Sequence, residues 1–525
     1  MVKNGQQLSR GMKGGAALLI GVVLLAALGL PAVPAQASVI APQGGVAYLQ
    51  GWRQGQLLCS GAPFQNKLKE VVLEPFAFGV SLPGDCNLAE MKVANPQTKF
   101  LAYVDVAASR EKTQGLGDWS EFQPDCVDAP DSAADPRASL FVQSGSAALA
   151  KANALVKMGD KSFVQYPDQG LFVADISSQL YRANCANRLK NILTTPSRPG
   201  RNGEPAAYFD GVLLDDVNVS PQHGINIEDV GGYGPWTTSA QYGDDMMSMV
   251  NYLARQTKAT AGRDVLVWVN MGVDPTSTKT LLGKPAVAGG SPLPSTESQR
   301  GLRLIDQRLL AGAAASTPPL IDAVLREYSV QWADGGSMSD SEMKAGANFA
   351  AEISRRGSVP IMHDYSVDLR KTSLSNYSQG AVVPWDAPCL SDDDFGAWFV
   401  AQSASGRRTA DQRMSLGWTL LNKSSDAKQM VGAVAQAQPF CQNLANGYES
   451  VDTASVNLQD SMVQKMLALQ VPTVYSTTPI TQNGQLSSRL LNNGLTVFVN
   501  TGNSTATFIY KGWIYFLQGR DSMVL

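Results

Sequence analysis

Two adjacent carboxylates, Asp215 and Asp216, close the segment Tyr208-Phe-Asp-Gly-Val-Leu-Leu-Asp-Asp-Val-Asn218 directly after three apolar residues. One Asp after a strand is commonly a helix cap, but neighbouring like charges repel, and a cap needs only one of them. Clustered carboxylates suit acid–base chemistry, where titratable groups must meet at one point. Successive strand side chains point to opposite sides, so Asp215 and Asp216 do not both face a reacting centre, and one of the pair tunes or positions the other. Four further acids follow apolar runs or stand beside a histidine: Asp105 after Tyr103-Val, Asp175 after Leu171-Phe-Val-Ala, Glu327 in Arg326-Glu-Tyr328, and Asp364 beside His363. Glu327 reads equally as an ion-pair partner of Arg326. The chain has no G-x-S-x-G elbow, Walker loop or dinucleotide fingerprint. Its two histidines, His223 and His363, are not paired at helical spacing, so no metal or other cofactor is expected.

The elements that must carry these acids alternate strand-like and helix-like patterns, the signature of parallel β/α units. Seven runs read as strands: Phe76 to Leu82, Phe100 to Val106, Gly170 to Asp175, Tyr208 to Asp215, Asp264 to Met271, Ile321 to Tyr328 and Val359 to His363. Between them, Ser177 to Leu193 places Cys185, Leu189, Ile192 and Leu193 on one helix face, with Ser177 available as its cap. Met246, Met249, Val250 and Leu253 repeat the same spacing and read as core. Seven units over this span predict an α/β fold, a (β/α)8 TIM barrel, whose active face lies at the carboxyl ends of the strands. The eighth strand falls near Ala381 to Trp385, or after the helical stretch through Phe399 to Leu421. Residues 38–75, with Gly44, Gly45, Gly51, Gly55 and Gly61, read as an irregular leader over the barrel floor.

The ends of the chain differ from this middle. Lys3, Arg10 and Lys13 precede an apolar run from Ala16 to Leu30 and then Ala35-Gln-Ala37, which reads as an export signal over residues 1–37, cleaved before Ser38. Six cysteines in an exported chain permit disulfides. The expected location is secreted or periplasmic, with no membrane association after cleavage. From Asn483 to Leu525, Leu495-Thr-Val-Phe-Val-Asn500, Thr505-Ala-Thr-Phe-Ile-Tyr510 and Trp513-Ile-Tyr-Phe-Leu517 alternate with Asn/Gly/Ser turns. They read as a small C-terminal antiparallel β-sheet that must dock on the 38–482 barrel, because so few residues bury little core of their own. A net charge of −3 with no Lys/Arg block argues against a nucleic-acid partner.

Taken in order, Leu171-Phe-Val-Ala-Asp175, the helix after it, the run FDGVLLDDV and the tail closing at Val524-Leu525 resemble the secreted glycoside hydrolases of the TIM-barrel class. The resemblance covers roughly residues 70–525. It implies a poly- or oligosaccharide substrate and a two-carboxylate mechanism, with Asp215 as the strand-ending Asp and Asp175 as the Asp ending the preceding strand. The chitinase-type pattern DGxDxDxE is not met: Leu213 stands where an Asp belongs and Val217 where the Glu belongs. Glu327 is the expected second acid, with Asp105 and Asp364 as competitors that could instead bind hydroxyls. Trp119, Trp236, Trp332 and Trp385 follow the expected strands and could stack on sugar rings, whereas Trp268 reads as core. A barrel that binds polysaccharide without cleaving it, or serves as an envelope scaffold, is the alternative, since a fold does not fix a function.

Overall fold

The structure is a computed structural model that describes residues 46–48, 70–73, 87–109, 125–143, 149, 155–158, 161–166, 171–217, 227, 231–271, 320–327, 330, 340–355, 357–363, 407–434 and 460–525. Eight parallel strands close into a barrel in chain order: β1 (Val46–Tyr48), β2 (Glu70–Leu73), β3 (Lys99–Asp105), β8 (Gly211–Asp215), β9 (Leu266–Asn270), β10 (Ala323–Glu327), β11 (Val359–His363) and β12 (Val431–Val434), which pairs back with β1. This is the (β/α)8 barrel expected from the alternation.

Two expectations about its strands are corrected. The leader supplies β1 and β2, three and four residues long, too short to show a period. The run 76–82 lies outside the described residues, and the barrel is closed without it. The Gly170 to Asp175 run is no barrel strand either. Its core, β7 (Leu171–Val173), belongs to an inserted four-stranded sheet with β4 (Ala108–Ser109), β5 (Leu155–Met158) and β6 (Lys161–Tyr166). The stretch between β6 and β7 is too short for a parallel crossover, so the two pair antiparallel. The eighth barrel strand is β12, which follows the helix at 407–422; the run Ala381 to Trp385 lies outside the described residues.

Helices between the strands are α1 (Leu88–Ala94), α2 (Gln179–Thr194), α3 (Ser239–Thr260), α4 (Asp340–Arg355), α5 (Arg407–Asn422) and α6 (Ser461–Ala468). In α2 the buried face is Tyr181, Cys185, Leu189, Ile192 and Leu193. Its cap is Ser178, whose hydroxyl accepts the Tyr181 N–H, one residue beyond the expected Ser177. In α3, Met246, Met249, Val250 and Leu253 are all buried, as their spacing requires.

The floor of the barrel explains the Asp-Gly pair that opens β8. Asp210 accepts the Phe100 N–H at 2.9 Å and sits 2.8 Å from Lys92 Nζ, tying β8 to β3 and α1. A Cβ on Gly211 would stand 2.3 Å from the Leu266 carbonyl oxygen, so only glycine lets β8 and β9 approach this closely. Asp322, at the start of β10, repeats the device with Lys258 at 2.9 Å and the Val267 N–H at 2.8 Å.

The tail forms the antiparallel sheet β13 (Thr481–Asn483), β14 (Leu486–Leu490), β15 (Thr496–Asn500) and β18 (Asp521–Val524), with a separate hairpin of β16 (Ala506–Tyr510) and β17 (Trp513–Leu517). It packs on α5: Arg413 makes a two-pronged ion pair with Asp521 at 2.8 and 2.7 Å, and the Ser522 hydroxyl donates to the Arg413 carbonyl. In the hairpin Phe508 stacks on Phe498 at 4.5 Å, whereas Ile509, Trp513, Ile514 and Phe516 face outward and stay exposed. The apolar hairpin is therefore covered on one side only.

Candidate active site

The interior of the barrel is built in alternating steps. Leu101 and Tyr103 of β3, Leu213 of β8, Leu266 and Trp268 of β9, and Ala323 and Leu325 of β10 belong to one buried cluster. Side chains two residues apart share a face, so the next step on each strand brings Asp105, Asp215 and Asn270 to the carboxyl-end rim. On the backbone, Glu327 of β10 and His363 of β11 occupy the following steps and are register partners of one another. By register Asp105, Asp215, Asn270 and Leu325 share one row, and Glu327 stands two residues beyond it; the carboxyl-end rim of such a barrel is where its enzymes carry out chemistry.

Asp105 and Asp215 are register partners on neighbouring strands, 2% and 7% exposed, so two carboxylates meet in near-complete burial. Asn270 Nδ2 donates to Asp215 at 2.6 Å, holding one oxygen in place. Asp105 accepts the N–H groups of Ala107 and Ala108 at 2.9 and 3.0 Å. A third acid reaches the same point: Asp125 is fully buried and bridges Asp105, whose carbonyl accepts the Cys126 N–H at 3.1 Å. Burial first, then the charges of Asp125 and Asp215, push the Asp105 carboxyl well above the usual carboxylate range, and its two backbone N–H partners only partly offset this. Asp105 therefore holds its proton where an ordinary carboxylate has lost it.

β8 ends at Asp215, and Asp216 takes a left-handed backbone (φ 59°) that turns the chain away, half-buried. Asp tolerates this region better than most residues, at a cost of order 1 kcal/mol or more. The two adjacent acids thus do not share one face. Arg326 lies on the opposite face of its strand from Leu325, packed against Gly346 of α4, where a Cβ would meet its guanidinium at 2.3 Å.

Two candidates sit elsewhere. The strand before β8 in the barrel is β3, so the acid ending it is Asp105 and not Asp175. Asp175 instead accepts the backbone N–H and the hydroxyl of Ser177 in the turn that opens α2. Trp236 is 1% exposed, stacked on Tyr233 and edge-on to Tyr242, with its indole N–H donating to Asp245 at 3.0 Å. A buried indole needs such a partner, and its faces are covered by protein rather than open to a sugar. Trp119, Trp332, Trp385, Asp364 and His223 lie outside the described residues. Asp125 and Asn270 were missed. Asn270 ends a run already read as a strand, in step with Asp215, and that step was the signal for it; Asp125 follows no run that reads as a strand in the sequence.

Of the cysteines, Cys126 and Cys185 form a disulfide, and the other four lie outside the described residues. Among the described residues no set of three His, Cys, Asp or Glu side chains is arranged to hold a metal ion, and no helix is long and apolar enough to cross a membrane.

No protein-family model and no curated protein matches the chain. Among solved structures it is similar to trehalose-6-phosphate hydrolase (TreA) of Bacillus licheniformis, at 9% identity over 91% of this chain and 98% of that one, TM-score 0.48. It is also similar to the α-amylase of H. orenii, at 9% over 92% and 99%, TM-score 0.45. A third is Ega3 of Aspergillus fumigatus in complex with galactosamine, at 11% over 66% and 88%, TM-score 0.31. The fold assignment of the present chain rests on its own strand order and register.

Proposed function

We propose that this protein is an exported glycoside hydrolase that cleaves a poly- or oligosaccharide with two carboxyl groups, Asp215 and Glu327. The observation that carries the reading is the buried meeting of Asp105 and Asp215 at the carboxyl-end rim, with Asn270 fixing Asp215. Asp105 already accepts the Ala107 and Ala108 N–H groups, so it is assigned as a neighbour of Asp215 and not as its partner across the glycosidic bond. Glu327 is two strands away across β9 and two residues beyond Leu325, which shares the row of Asp215 and Asn270, about 12 Å between backbones, and the reading requires the two carboxyls to approach to the about 5–9.5 Å over which glycosidase carboxyls act.

In this mechanism Asp215 acts as the anion, either attacking the anomeric carbon or activating water. Glu327 delivers a proton to the leaving oxygen, and Asp216 aims the loop after β8. Burial and the charges of Asp125 and Asp215 keep Asp105 protonated, so the charge on Asp215 has a neutral carboxyl and not a second anion beside it. His363, the register partner of Glu327, and Asp364 are assigned to substrate hydroxyls, as are Trp119, Trp332 and Trp385 to ring faces. The Cys126–Cys185 disulfide is compatible with export. No cofactor is required.

The test is the Glu327→Gln variant assayed on a natural polysaccharide and on an aryl glycoside with a good leaving group. The expected outcome is a loss of roughly a hundredfold or more on the polysaccharide, with the activated substrate largely spared. Equal loss on both substrates would remove Glu327 as the acid.

A further inference from the structure

Asp125 reaches the rim without a strand of its own. Among the described residues a single bridge to Asp105 is its place in a sheet, yet the residue is fully buried. What holds the 125–128 segment there is α2. Cys126 is bonded to Cys185, Asp128 pairs with Arg188 at 2.9 Å, and Tyr181 donates its hydroxyl to the Val106 carbonyl, the residue after Asp105. Positions 181, 185 and 188 fall on one helix face, so one face of α2 grips both the end of β3 and the segment laid against it. The Ser109 hydroxyl adds a tie from β4 to the Val127 carbonyl.

We propose that Asp125 is a positioning residue of the rim site, and that the Cys126–Cys185 bridge delivers it to Asp105. This rests on the reading of the rim as the active site. The groups facing Asp105 are Asp125 from the tethered segment, Asp215 from β8 and Tyr181 from α2. A buried anion at position 125 works against ionisation of Asp105 and so keeps a proton donor beside Asp215. The bridge closes a separation of 59 residues, and without it only the single backbone bridge and weaker polar contacts hold Asp125 in place.

The experiment follows the infrared carbonyl band of a protonated carboxyl through a pH titration of the full chain, assigned to Asp105 by its loss in Asp105→Asn. In Asp125→Asn, a near-isosteric change, the titration midpoint of that band is expected to fall by about one pH unit or more, and Asp125→Glu should restore it. The Cys126→Ser/Cys185→Ser pair should shift the midpoint in the same direction. If that pair does not fold, Arg188→Leu, which removes the other tie of the segment to α2, is expected to give a smaller shift of the same sign. An unmoved midpoint in Asp125→Asn overturns the role of Asp125. A normal midpoint in the folded cysteine pair, or in Arg188→Leu where the pair fails, overturns delivery by the clamp. A shifted midpoint in a protein that hydrolyses no glycoside would leave this inference standing and sink the hydrolase reading instead.

Discussion

The two ends of the barrel use the same residue type in opposite ways. At the floor, Asp210 and Asp322 stand at the starts of β8 and β10, each beside a lysine and each accepting a backbone N–H from the neighbouring strand. At the rim, Asp105 stands at the end of β3 and faces two more carboxylates, Asp125 and Asp215. Burial is similar for Asp322 and Asp105, 4% and 2% exposed, so the contrast lies in the partners. Pairing with a cation accounts for the floor as a device of stability. At Asp105 the neighbouring charges are carboxylates instead, and gathering buried like charges raises the energy of the fold, an arrangement that survives where it serves a function.

The comparison is broken most forcefully by Lys258→Met, which leaves Asp322 buried without its cation. The expected loss is about 2–3 kcal/mol, below the full cost of orphaning a buried charge because Lys258 is itself partly exposed. Urea denaturation measures it, and the folded variant should keep wild-type turnover. A loss of turnover without a loss of stability would erase the distinction between the ends.

Asp105→Asn should act with the opposite sign. Folding raises the Asp105 pKa, so its contribution to stability is intact below the unfolded carboxylate pKa of about 3.9 and is lost as pH rises through the folded value. The asparagine keeps an oxygen for the Ala107 and Ala108 N–H groups and does not titrate. Its stability relative to wild type is therefore expected to grow as denaturation is repeated from about pH 4 to about pH 8. A difference independent of pH would mean that Asp105 is not held protonated.

The smallest effect is expected far from both ends. Phe516 is 68% exposed on the outer face of the β16–β17 hairpin, so Phe516→Ser should change stability by no more than about 0.5 kcal/mol, read as an unchanged urea midpoint. A large loss would show that this face is covered.

How much of this was legible in the sequence follows from how local each signal is. The position of Asp215 at a strand end, the buried faces of α2 and α3 and the strands of the tail all follow from spacing over a few residues. β1 and β2 were not legible, because strands of three and four residues carry no period. The reading of Asp175 as the acid ending the barrel strand before β8 failed at the level of topology. Asp105 and Asp175 both end apolar runs before β8, but only the four-residue stretch between Tyr166 and Leu171 reveals that β7 is antiparallel and outside the barrel. Asp125 had no local signal. Its place depends on a disulfide partner 59 residues away and on a helix face that is assembled only in the fold. Trp236 misled because a tryptophan after a strand is equally at home on a rim or packed on a helix, and the deciding partner, Asp245, lies on the next helix.

The central claim is that the rim carboxylates hydrolyse glycosidic bonds, and the most direct measurement is reducing-sugar release from a panel of polysaccharides by wild type and Asp215→Asn. The amide keeps the shape of the side chain and removes its charge. Wild type is expected to release sugar from at least one member of the panel, and the variant to bind that polysaccharide while turning it over roughly a thousandfold or more slowly. Equal sugar release by the two proteins, or none by wild type on any member, would contradict the account.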